Sequence, residues 1–313
     1  MDSYLKGTHS RQLDDKSNTK VSRKEINKMK RSISVISIIC ILFSSILSVQ
    51  ALGSEKITCS DMKRFLIEEG LPENYVEVLP VDRVEIMYGL LQNPNTVYDG
   101  TVVSSGFQNN ANGVSTYDIS SDILYFATTT LTNYTYNSTT KRSKINEIYV
   151  FVDFVWDKNR PIIKGQDGIS VNWDGSIFAF KSNSFQVNVY ARMNTSSDWN
   201  TSYSADRPGQ VEQGGLGFAV DLTKTNKAVG TTIISAHYIM GNAYFTLVPR
   251  ASMYTATANQ ENAKMCAINS KYVHQLNPIS LPVSFSINAG GVGISISGLT
   301  DEASSTTFYY YSN

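Results

Sequence analysis

The sequence predicts a mainly β protein, an antiparallel β-sandwich of jelly-roll or Greek-key kind with a short N-terminal helical pair after a signal peptide. Three observations carry that prediction. Apolar residues alternate with period 2 in several runs, as in Ile148, Val150, Val152, Phe154 and Trp156, which places them on one face of a strand. Ser, Thr and Asn supply 74 of the last 262 residues, a composition suited to strands with hydroxylated faces and polar turns. No helical period recurs after Asn93, so the strands have no helical crossovers to make them parallel.

Taken in order, residues 1 to 28 are polar and aperiodic and read as an upstream extension. Residues 29 to 51 read as a signal peptide. Lys20, Arg23, Lys24, Lys28, Lys30 and Arg31 precede a 17-residue uncharged run, Ile33 to Val49. Val49-Gln50-Ala51 then predicts cleavage before Leu52. The rival reading is a retained anchor, but serines at 34, 37, 44, 45 and 48 interrupt the apolar run, which falls short of the roughly 20 residues that span a bilayer. After cleavage no stable membrane span is expected, and the protein is expected outside the cell or on its surface.

Residues 52 to 95 form a helical lead segment. Ten of the 36 residues from 57 to 92 are charged. Met62, Phe65 and Leu66 recur at helical spacing behind the capping candidates Thr58 and Ser60, and Gly70 ends that helix. Val84, Met87, Tyr88 and Leu91 form a second stripe after Pro80. This pair is expected to pack on the sheet.

Residues 96 to 313 are expected to form the sandwich, with strands near 96–104, 115–132, 145–157, 168–173, 176–181, 184–193, 213–222, 230–240, 242–249, 281–288, 291–298 and 305–311. Two hairpins are predicted with register. Around Asp174-Gly175, suited to a type I′ turn, Val171 pairs with Phe178 and Ile169 with Phe180. Around Asn288 to Gly291, Ile287 pairs with Val292, Phe285 with Ile294 and Val283 with Ile296 on one face, and Ser284 with Ser295 on the other. Gly214, Gly215 and Gly217 precede no helix pattern and read as a strand with close backbone approach or a bulge.

Charge narrows the partners. The whole chain carries 27 basic and 27 acidic residues, but the first 51 hold 9 and 4 of them, leaving 18 and 23 for the remaining 262. A net charge of about −5 on the body argues against a partner with a phosphate backbone, which would need a basic face, so no nucleic-acid partner is expected. A protein or glycan at the cell surface is the expected partner class.

Chemistry is sparsely supplied. After cleavage only His237 and His274 remain, with Cys59 and Cys266. His237 shares parity with Ile233 and Ile239 and reads as a core or edge histidine. No G-x-S-x-G elbow or H-E-x-x-H helix occurs, and a tetrahedral zinc site lacks donors. Cys59 and Cys266 form either one disulfide or two free thiols, since spacing does not decide. No cofactor is expected. The one metal considered is calcium, on oxygens of Asp157, Asn159 and Asp167.

Catalysis would have to rest on carboxylates. Asp153 and Asp157 share one parity of their strand, and either of them turned inward at its end would have its pKa raised by burial. For ligand binding, Trp199, Tyr203 and Arg207 stand out in the polar segment 194 to 213, as an exposed aromatic among hydrogen-bonding side chains stacks on a sugar or anchors a protein. Trp199 capping the sandwich edge is the competing reading.

The leading expectation is therefore a secreted or cell-surface interaction protein without catalytic activity. The alternatives are a membrane-inserting pore former that uses the uncharged tract Tyr272 to Thr300, and a carboxylate-dependent hydrolase of envelope polysaccharide.

Overall fold

The computed structural model describes residues 57–104, 117–118, 124–156, 161, 164–193, 199–257, 259–260, 262–276, 282–288, 291–296 and 300–312. The leader, its cleavage site, Asp157 and Asn159 lie outside them. Residues from Thr58 to Asn313 form one compact unit.

Three helices open it: α1 (Cys59–Glu68), α2 (Glu73–Val78) and α3 (Val81–Leu91). Thr58 caps α1 in a reciprocal box with Asp61, its hydroxyl accepting from the Asp61 N–H while the Asp61 carboxylate accepts from the Thr58 N–H, which satisfies donors the first turn leaves free. Gly70 follows α1 at φ 99°, a conformation glycine adopts without Cβ strain. The expected pair thus gains a third, one-and-a-half-turn helix between Pro72 and Pro80, each proline stopping one helix pattern and starting another.

The strands are β1 (Thr96–Val103), β2 (Tyr117–Asp118), β3 (Leu124–Asn137), β4 (Arg142–Trp156), β5 (Gln166–Asn172), β6 (Phe178–Phe180), β7 (Gln186–Arg192), β8 (Asn200–Ala205) and β9 (Gln210–Glu212). They continue as β10 (Gly215–Asp221), β11 (Lys227–Val229), β12 (Thr232–Ile234), β13 (Tyr238–Pro249), β14 (Tyr254–Thr255), β15 (Lys264–Gln275), β16 (Val283–Asn288), β17 (Gly291–Ile296) and β18 (Thr300–Ser312).

Pairing divides the main strands into two halves. One runs β1-β3-β4-β13-β7-β8 and the other β18-β15-β5-β10-β9, every one of these pairs antiparallel. The two-residue β14 touches both, pairing Tyr254 with Lys144 and with Ser312, so hydrogen bonding runs through one curled sheet of 14 strands. The halves face each other across a core in which Phe126 and Phe154 meet Tyr272, with ring centroids 5.9 and 4.9 Å apart. This is the sandwich.

The first half is buried on both faces. Phe126, Val150, Val152 and Phe154 point to the inter-sheet core, while Ala127, Leu131, Phe151 and Met240 meet Leu66, Tyr75, Val84 and Met87 of the helices. Alternation on β4 is therefore apolar on both parities, as a strand covered on two sides requires.

The outer face of the second half carries glycines at 168, 215 and 217, and the β16–β17 hairpin lies on them. A Cβ on Gly168 would stand 2.6 Å from a methyl of Ile294, and one on Gly217 would collide with the Phe285 ring. The glycine run 214 to 217 thus is a strand with close approach, the approaching element being this hairpin. Its register, Ile287 with Val292, Phe285 with Ile294, Val283 with Ile296 and Ser284 with Ser295, is the one the sequence predicts. With Val283, Phe285, Val292 and Ile294 set against the sheet, its apolar face has no lipid to meet. The pore-forming alternative also loses part of its uncharged tract, because Tyr272 to Gln275 belong to the central strand β15.

The Asp174-Gly175 hairpin is not formed. Both edges of β5 are already taken, by β10 and β15, and Phe178 to Phe180 pair with the end of β13. Asp174 instead turns a corner: its carboxylate accepts from the Ser176 N–H at 2.9 Å and its carbonyl from the Ile177 and Phe178 N–H groups at 3.0 Å each. A short acidic side chain stabilises such a turn locally, and the corner sends both Trp173 and Phe178 into the core.

The strand expected over 230 to 240 is two pieces. Val229, Ile233 and Ile234 stand exposed on the small β11–β12 hairpin, and His237 is half-buried with its ring 5.0 Å from that of Tyr238.

Candidate functional site

Two buried polar clusters account for the carboxylates singled out by the sequence. Asp153 sits between β4 and the helices, 1% exposed, with the Arg83 guanidinium 3.1 Å away. The Tyr75 hydroxyl also donates to Asp153, and Arg83 donates to the Ala243 carbonyl at 2.9 Å. Burial raises the Asp153 pKa, while Arg83 and Tyr75 pull it back. Asp153 is buried, but on the parity of Phe151, opposite to Val150, Val152 and Phe154, so it turns away from the inter-sheet core and into a sealed ion pair between helix and sheet. No water or sugar reaches it, and a hydrolase cannot be built on it.

Asp167 is likewise enclosed. Tyr272 donates its hydroxyl to it, His274 Nδ1 lies 2.9 Å from both carboxylate oxygens, and the Gln275 N–H reaches it at 3.3 Å. Trp156 Nε1 in turn donates to the Tyr272 hydroxyl at 3.0 Å. With its oxygens so engaged inside the core, Asp167 is not the calcium ligand the sequence suggested. The network satisfies groups that would be costly to bury alone, and it explains why His274 interrupts the apolar face of β15, while Ser270 there accepts from the Thr128 hydroxyl.

The three proposed binding residues do not come together. Trp199 packs on the helical side of the first sheet half with Arg192 stacked 4.9 Å over its ring, while Tyr203 packs against the inter-sheet core. A bulge at Ser202 separates them: Tyr203 pairs with Val189 and Thr201 with Tyr190, so one extra residue flips the faces. Arg207 is exposed in the turn before β9. Trp199 thus caps the sheet edge.

Cys59 and Cys266 are both free thiols, Cys59 beside the helical cluster and Cys266 buried between the sheet halves. The disulfide alternative is therefore not formed, since the two lie on opposite faces of the first half.

A concave, polar surface does exist, on the outer face of the second sheet half. The hairpin covers β5 and β10 and leaves β15 and β18 open. Beside it run two adjoining cavities of about 680 and 580 Å³ that share Asn172, Asn269 and Gly291. The floor is set by strand parity: Asn269 and Lys271 on β15 face Thr306 and Ser304 on β18. The Asn269 carbonyl oxygen accepts from the Thr306 hydroxyl at 2.9 Å, and Lys271 is tied to Glu302 at 2.7 Å. Met265 and Phe308, 55% and 50% exposed, lie on the same face. At the other end Asp174 is engaged with Ser176 and Glu212 with Gln210.

The groove is thus open, amide-lined and hydroxyl-lined, with Lys271 ion-paired and Asp174 and Glu212 hydrogen-bonded to neutral side chains. Such a surface binds by hydrogen bonds and stacking. Sequence reasoning missed it. Ser170 and Asn172 alternate with Ile169 and Val171, a visible sign of a polar outer face, but β15 was not recognised as a strand.

No family model and no curated protein matches the chain. Among solved structures, it is similar to the collagen-binding domain of a Staphylococcus aureus adhesin at 10% identity and TM-score 0.25, over 50% of this chain and 87% of that one. It is similar to the collagen-binding subdomain of the Enterococcus faecalis surface protein ACE at 8% identity and TM-score 0.24, over 50% and 86%. AvmM, which catalyses macrocyclization in alchivemycin A biosynthesis, overlaps at 14% identity and TM-score 0.21, over 53% and 79%. Overlaps of this size leave the architecture to be read from the chain's own strands.

Proposed function

We propose that the protein is an exported interaction protein that binds a ligand at the cell surface through the groove beside the β16–β17 hairpin, without chemistry of its own. The observation that carries this reading is the groove itself: a concave strip of amides and hydroxyls on a rigid sheet, with Lys271 on its floor already paired to Glu302. The leader supports the location, and the acidic body supports a partner other than nucleic acid.

The test has two arms. N-terminal sequencing of the protein recovered from culture should read from Leu52, and a start at or before Ser32 refutes cleavage. The purified protein is then applied to an array of glycans and extracellular matrix proteins, collagen included. Wild type should bind at least one spot and Thr306→Lys, which fills the groove floor, should not. Equal signals from the two proteins would remove the groove from the reading.

A further inference from the structure

The wall of this groove is a strand edge. β17 pairs with β16 along one side, and among the described residues no strand pairs with its other side. In an antiparallel ladder the N–H and C=O of alternate residues point to opposite sides. Val292 shows which residues point away from β16: its N–H donates to the Asn172 side-chain oxygen at 2.6 Å and its carbonyl accepts from the Asn172 amide at 3.2 Å. Ile294 and Ile296 have the same parity, so their main-chain groups face the same way, over β15 and β18.

The contact at Val292 is informative because of its form. Asn172 offers one donor and one acceptor to one residue of the edge, the pair of bonds a neighbouring strand would make there. The chain itself caps the start of the edge with a peptide-like group, and the two outward positions beyond it remain for another main chain.

Resting on the reading of the groove as a ligand surface, we propose that its occupant is an uncharged, extended peptide segment of a partner protein, added as a strand to β17 from Gly293 to Ile296. That stretch is about 13 Å long at roughly 3.3 Å per residue. Main-chain bonds to Ile294 and Ile296 supply the affinity common to strand addition, and side chains on alternate positions meet the floor. One set of them lies over Asn269, Ser304 and Thr306, and the exposed Met265 and Phe308 take apolar side chains at the end nearer Asn172. Beside Gly293 to Ile296 the charge on the floor, Lys271, is held by Glu302, so a charged segment there would lose hydration without compensation. A glycan would use the floor and leave the directional edge unused.

The experiment is selection of a phage-displayed random dodecapeptide library on the purified protein, with three variants in parallel. Ile294→Pro removes an outward N–H and blocks strand approach without removing a bond to β16. Thr306→Lys obstructs the floor from a different element, so loss of the hairpin fold alone cannot produce the result. Ile233→Ser, on the exposed β11–β12 hairpin, is the control.

The expected result is enrichment of uncharged sequences on wild type and on Ile233→Ser, with a synthesised hit binding at least tenfold more weakly to each of the other two. Methylating alternate main-chain nitrogens of that peptide should abolish binding, and the Ile294 and Ile296 amides should exchange more slowly in the complex. No enrichment, enrichment of charged sequences, or binding that survives N-methylation would overturn the proposal. Groove-dependent binding of a glycan with no peptide selected would overturn it too, while leaving the groove as a ligand site.

Discussion

Replacing Arg83 by Met removes one partner of an ion pair in which both side chains are 1% exposed. The remaining Asp153 carboxylate keeps a hydrogen bond from Tyr75 but loses the cation beside it, and the Ala243 carbonyl loses the guanidinium donor. Breaking a buried pair in this way costs about 3–5 kcal/mol, because the surviving charge has no water to return to. Asp153→Leu should cost a similar amount by stranding the guanidinium. The double variant removes both charges of the pair and leaves the loss of one hydrogen bond at the Tyr75 hydroxyl and one at the Ala243 carbonyl, at about 1–1.5 kcal/mol each. It should therefore sit about 2–3 kcal/mol below wild type, far above the sum of the two single losses. Urea denaturation of the four proteins closes the cycle. If the double variant loses the sum of the singles to within about 0.5 kcal/mol, the two residues act independently and the sealed ion pair is the wrong account of this interface.

Three further outcomes follow from the layers. Gly217→Ala places a methyl against the Phe285 ring and 2.9 Å from a methyl of Val292, so the hairpin must lift. A loss of about 1–3 kcal/mol is expected, with faster amide exchange concentrated in residues 283–296; unchanged exchange there would show that the hairpin does not rest on this glycine. Burial lowers the Lys164 pKa to about 8, so the fold disfavours its charged form. That penalty is present below pH 8 and disappears as pH rises toward the unfolded value near 10.5. Lys164→Met should accordingly raise Tm at pH 7 and lose that advantage by pH 11, and a pH-independent effect would sink the argument. Trp199→Ala should lower Tm, through lost packing and the Arg192 stack, yet leave groove binding intact; lost binding at unchanged stability would restore Trp199 as a contact residue.

The candidate site shows where sequence reasoning stops. β15 was unread because its inward residues, Cys266, Ile268, Ser270, Tyr272 and His274, include two polar members, and only the three-dimensional structure reveals that His274 is matched by Asp167 and Ser270 by Thr128. With β15 missing, Asn269, Lys271 and Met265 could not be seen to share a face with Ser304, Thr306 and Phe308. Trp199, Tyr203 and Arg207 were grouped by proximity along the chain, and a single bulged residue separated them.

What the amino-acid order decides unaided is local. Period-2 alternation sets which residues of β4, β7 and β17 share a face, and the Asn288 to Gly291 turn sets the β16–β17 register, because both are properties of a few adjacent dihedral angles. Partner choice is not local. Asp174-Gly175 carries the residues of a tight hairpin, yet β5 takes β10 and β15 as neighbours, since its two edges and both faces are satisfied only by segments up to about a hundred residues away. The Arg83 to Asp153 pair and the groove beside β17 arise in the same way, from contacts whose free energy exists only once the layers have closed.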